Sequence, residues 1–359
     1  MEFVKKKSNL FFSFLLIFNS IIYAQEIIEN PKKPLSKNAG RIVRLKKIHR
    51  VTDESEEYFF RRPHNFQVAP NGDLFIQDNE QLLQFDSKGN FIRNSYKKGQ
   101  GPGEIEDYFN YYIQENRIHI YDFSAIKVIQ TDLEGNLINQ IKIESGPYNG
   151  FCGVTENWYV FMKGIMPPLN EYNNKLYDMK IAVRLVSKNG KTEKDSQVFS
   201  RKVFLDIRRR QTTWERWISV LSDDAKILYV SHTNEYLIEA LDLEKGIIPM
   251  RFNRKYPRVK YVNRGWEENY HKEFNAPLIK FEHDVEGLFI NDEFIWVKTS
   301  TKDEKKGFLI DVFDSDGKYI DNFYLNLDGS LMAAQGDYIF ALESEEDENL
   351  QIVKYKIVK

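Results

Sequence analysis

The residues best suited to hold a ligand fall in four short stretches. Arg208, Arg209 and Arg210, followed by Trp214 and Trp217, combine guanidinium groups with large flat rings. That pairing suits a carboxylate or a sugar, through charged hydrogen bonds and stacking. The alternative is that the tryptophans are core rings and the arginines are solvated. Arg61, Arg62 and His64 form a second cationic group, and residues 255–281 a third, with Arg258, Lys260, Arg264, Trp266, His271 and Lys272. The fourth is Lys97 to Phe109, where Gly99, Gly101, Pro102 and Gly103 lie between Lys98 and Glu104. It lacks the Lys-Ser/Thr pair of a P-loop and the glycine spacing of a dinucleotide fingerprint, so it reads as a compact turn.

Catalytic chemistry has little support. His49, His64, His119, His232, His271 and His283 are scattered, without the close spacing of a zinc site. No G-x-S-x-G elbow is present. Asp314-Ser-Asp-Gly317 resembles part of a calcium loop but fits a hairpin turn better. The single cysteine, Cys152, excludes an intrachain disulfide and reads as a small buried residue.

These stretches punctuate a repeated grammar. Gly72 to Asp78, Gln81 to Asp86 and Phe91 to Asn94 read as strand, turn, strand, turn, strand. The order returns in Glu115 to Asp122, Ala125 to Asp132 and Leu137 to Ile143. Looser copies follow, and Gly89, Gly135, Gly190, Gly246 and Gly317 mark five hairpins in which a residue tolerating positive φ is needed. A sixth unit ends one strand short, while Arg41 to Val51 is a strand with no unit of its own. Pairing the two closes a ring without a long exposed edge. The spacing therefore predicts an all-β, six-bladed propeller of four-stranded antiparallel blades, closed by an N-terminal strand. Residues 41–359 form it, with a linker at 25–40; Gly265 to Phe274 is the one candidate helical turn.

Composition agrees with a globular, secreted chain. Of the 359 residues 42% are hydrophobic, enough for a large core. Lys5 to Lys7, the apolar run from Leu10 to Phe18 and Ala24 describe a signal peptide over residues 1–24. Its removal leaves 48 basic against 52 acidic residues, a balance that gives no reason to expect nucleic acid. The expected compartment is periplasmic or extracellular, with no membrane span after cleavage.

The segments Gly72 to Asp78, Leu82 to Phe91 and Gly99 to Glu104 resemble exported bacterial six-bladed propellers related to NHL-repeat and TolB-like proteins. The resemblance is strongest over residues 64–143 and weakens at the insertions 165–178, 201–213 and 252–283. It implies a fold and an exported location more than an activity. In such a ring Gly99 to Glu104 crosses from rim to axis, Arg61, Arg62 and His64 precede the first inner strand, and residues 255–281 form either a cap or a packed insertion. The expected function is non-enzymatic: a monomeric binding or scaffolding propeller for a sugar, peptide or protein, with no cofactor. The alternative is a metal-assisted hydrolase or lyase whose ion, calcium for instance, sits on the axis among carboxylates and amides from different blades.

Overall fold

The computed structural model describes residues 27–52, 57–165, 168, 174–206, 211–212, 216–263, 265–344 and 349–358. The expected signal peptide lies outside them. Six sheets, each built on four antiparallel strands, surround an axis, and the innermost strands are His64–Val68, Phe109–Gln114, Gly150–Val154, Trp217–Leu221, Gly287–Asn291 and Ser330–Gln335. Blades one to six are numbered in that order. Blade six is completed by Arg44–Thr52 on the outer side of Leu350–Val358, which closes the ring. One helix is described, Trp266–Phe274.

Why the sequence makes such blades is visible in blade one. Its middle strands, Leu74–Asp78 and Gln81–Phe85, are buried at every position, whereas the outer strand Phe91–Asn94 is not. A middle strand is covered on both faces by neighbouring blades, so it reads as a nearly continuous apolar run. The core is correspondingly divided into clusters between blades. One joins Phe75 and Leu82 of blade one to Phe109, Tyr111 and Ile120 of blade two.

Between Ile27 and Ile42 the chain does more than link. Ile27–Asn30 adds a parallel strand to the outer edge of blade four, and Arg41–Ile42 adds one to blade five. Asn30 fixes the first of these: its Nδ2 donates to the carbonyls of Asn253 and Gly317, and its Oδ1 accepts from Tyr319 N–H. The strand chemistry was hidden because four residues before a proline carry no period of their own.

All five marker glycines have positive φ, from +67° to +88°. They differ in what they touch. A Cβ on Gly190 would overlap the Lys142 carbonyl oxygen and meet Ile141 Cγ2 on the outer strand of blade two, whereas on Gly246 its nearest neighbour would be 3.6 Å away. Gly246→Ala therefore carries only the left-handed backbone cost, about 1–2 kcal/mol. Gly190→Ala adds displacement of a neighbouring backbone and should lower the chemical denaturation midpoint clearly further. Equal midpoints for the two variants would show that the close approach is immaterial.

Candidate functional site

The inner strands of all six blades enclose an axial channel of about 1080 Å³. Each contributes a sheet edge to the axis, so unpaired backbone groups face the channel and need partners. Gln67 supplies one solution: its amide donates to Tyr111 O at 2.9 Å and accepts from Ile113 N–H at 2.8 Å, bridging blades one and two. Asn65, Asn110, Gln114 and Gln335 also line the channel, together with Tyr112, Phe289 and Trp217. The Trp217 ring is held by Phe199 at 5.4 Å and by the Arg201 guanidinium at 5.2 Å.

Charge is one-sided. Among the described lining residues Glu115, Asp223, Asp224 and Asp292 are acidic, and none is Arg, Lys or His. The acids sit on turns joining first and second strands, so they gather at one mouth. Burial, then the charges of Asp292 and Asp224, raise the Asp223 pKa above its usual value. Cys152 also faces the channel, where burial pushes its thiol up to about 11; Tyr112 is pushed up to about 12 by burial, Asp223 and Cys152. Such a thiol is a poor nucleophile at neutral pH. The described residues include no group of three or more His, Cys, Asp or Glu side chains placed to hold a metal ion.

No described Arg, Lys or His of the cationic stretches lines the channel, although Trp217 of the first stretch does. Arg61 and Arg62 give their backbone N–H groups to the buried Asp78 carboxylate at 2.6 and 2.9 Å, and the Arg61 guanidinium lies over Phe59. His64 Nδ1 is 2.7 Å from Arg62 O, and its ring is exposed outside the channel. Asp122 plays the part of Asp78 in blade two, accepting from the N–H groups of Glu106, Ser124 and Ala125. The repeated Asp at the end of the second strand thus ties down the crossing segments.

Lys98 pairs with Glu80 at 2.7 Å in solvent. Glu104 turns inward to accept from Gly101 N–H at 2.8 Å, while Gly99 N–H and Ile105 N–H close the loop onto Ile105 O and Lys97 O. The glycine segment is a self-closed crossing. Arg208, Arg209, Trp214 and Arg264 lie outside the described residues, and Trp266 opens the helix, which reaches blade three through the Tyr270–Phe204 ring contact. Sequence reasoning passed over the channel amides. Their signal is an amide interrupting an apolar inner strand, as in Asn65-Phe-Gln67 and Asn110-Tyr-Tyr-Ile-Gln114.

A family model described as a 6-bladed beta-propeller, DUF5128, matches residues 48–326. Among solved structures, a putative exported protein of Bacteroides fragilis NCTC 9343 is 14% identical with a TM-score of 0.55, over 93% of this chain and 100% of that one. A Xanthomonas campestris gluconolactonase is 13% identical with a TM-score of 0.49, over 90% and 96%. A duf4221 family member from Bacteroides vulgatus is 9% identical with a TM-score of 0.49, over 89% and 99%. Identities this low bear on the fold alone. No curated protein matches the sequence. No helix among the described residues is long and apolar enough to cross a membrane.

Proposed function

Since the chain belongs to the DUF5128 family of six-bladed β-propellers, with its model matched over residues 48–326, we propose that it is an exported binding propeller whose axial channel takes a sugar. The observation that carries this reading is the channel lining. Amides from several blades, with Tyr112, Phe289 and Trp217, offer the donors, acceptors and flat faces that hydroxylated rings use. The absence of cations among the described lining residues, with four carboxylates at one mouth, favours a neutral or amino sugar over an acidic one. Export rests on Lys5 to Lys7, the following apolar run and Ala24.

Cys152, the chain's one thiol, is a built-in reporter of the channel. With its pKa near 11, its reaction with a small neutral disulfide reagent at pH 7.5 should run about a hundredfold slower than that of a free cysteine peptide. Saturation with a bound neutral or amino oligosaccharide should slow it at least tenfold further. If no member of a broad panel of such sugars alters the rate while the protein stays folded, the channel reading fails.

A further inference from the structure

A second groove lies outside the channel, between the outer strand of blade two, Leu137–Lys142, and the hairpin at Ser187 to Lys191 in blade three. It measures about 480 Å³, and the Glu144 N–H···Gly190 O bond holds its two walls together. Three lysines line it, Lys142, Lys188 and Lys191, and none forms an ion pair among the described residues. Lys188 lies over the Tyr159 ring at 4.5 Å, and loss of solvent lowers its pKa to about 8, Glu115 and Arg117 acting in opposite senses.

The amides of the groove point the same way. Asn139 Oδ1 accepts from Gln140 N–H, Gln140 Oε1 from Gly103 N–H, and Asn189 Oδ1 from Lys191 N–H and the Ser187 hydroxyl. Each oxygen is engaged, so each NH₂ group is left without a partner among the described residues. The groove therefore offers ammonium and amide donors, with Glu144 as its one carboxylate. An excess of charged and amide donors over a single carboxylate suits an oxyanion.

We propose that this groove is a second binding site, for the carboxylate of an acidic saccharide. An added peptide strand fits less well. The register of Leu137–Lys142 slips beside Ile138, and the Asn139 side chain already occupies Gln140 N–H, which breaks the ladder such a strand would continue. Free amide donors beside a carboxylate-binding lysine instead match the hydroxyls next to a uronate.

The test is lysine NMR on the intact protein carrying ¹³C-methylated amines, with Lys188 assigned from Lys188→Met. Digalacturonate should shift the Lys188 and Lys142 resonances saturably; its Kd should rise tenfold or more in Lys188→Met, read at Lys142, and severalfold in Lys142→Met, an exposed site where folding is not at risk, read at Lys188. Maltose should leave both resonances unmoved. The proposal is overturned by no shift with digalacturonate, by an equal shift with maltose, by a response to inorganic phosphate or a polyglutamate peptide alone, or by unchanged affinity in Lys142→Met.

Discussion

Asp311→Leu should be among the most damaging single substitutions in this protein, lowering unfolding free energy by about 3–5 kcal/mol. Asp311 is fully buried on the third strand of blade five, Gly307–Phe313, and its carboxylate accepts from Arg254 Nε, Tyr236 OH and Tyr319 OH, each at 2.6 Å. The Arg254 guanidinium is itself 3% exposed and lies within 5.3 Å of the ring centres of Tyr236, Tyr256 and Tyr319. Burial acts to lower its pKa, but Asp311 and the tyrosines more than offset this and hold it above the ordinary value. Removing the carboxylate would leave a desolvated cation facing two tyrosine hydroxyls without an acceptor. The loss should appear as a fall in denaturant midpoint at unchanged slope. Adding Arg254→Met to Asp311→Leu should recover a large part of it, because the damage lies in the orphaned charge. A double variant less stable than Asp311→Leu alone would refute that account.

The second large effect is acid lability above the range where carboxylates titrate. His119 is 3% exposed, and burial, with Lys188 and Arg117 nearby, lowers its pKa to about 3. His232 is 4% exposed and lowered to about 4, by burial and then Arg201 and His283. For both, the unfolded chain takes up its proton near pH 6.5 while the folded chain does not. Stability is therefore full above pH 6.5 and is lost as pH falls toward each folded pKa. At about 1.4 kcal/mol per pH unit and per group, lowering pH from 6.5 to 5 should cost about 2 kcal/mol for each imidazole. His49 and His283 are shifted the same way. The carboxyls of Asp86 and Asp132 are held below their usual value by Asn90 and Asn136 respectively, so they titrate beneath this window. Urea midpoints between pH 5 and 7.5 should slope steeply for the native protein and much less for His119→Phe with His232→Phe. An unchanged slope in that pair would assign the acid response to other groups.

The propeller was legible because its punctuation is local. A hairpin glycine and the strands on either side lie within a few residues, and the positive φ at Gly89, Gly135 and Gly317 follows from turn chemistry alone. The channel was not legible, since no two blades supply neighbouring residues in sequence: Gln67 meets Tyr111, and Asp223 senses Asp292. Local reading singled out Arg61 and Arg62 for their charge and had no view of their backbone N–H groups, which bind the Asp78 carboxylate. The Arg254–Asp311 pair was invisible for the same reason as the channel, with its partners 57 residues apart and each buried by the other's blade.

The N-terminal strands have a bearing on the order in which the molecule can be made. Ile27–Asn30 docks on blade four, Arg41–Ile42 on blade five and Arg44–Thr52 on blade six before the chain enters blade one. The polypeptide thus travels about one and a half circuits of the ring. Ile27–Asn30 has no strand to rest on until blade four exists, and Asn30 waits for a carbonyl 287 residues downstream. Domains usually gain structure from the N-terminus as they emerge, with local contacts first. Here that order is inverted for Ile27–Asn30 and Arg41–Ile42: they act as late latches, and until they engage, the edges of blades four and five stand open.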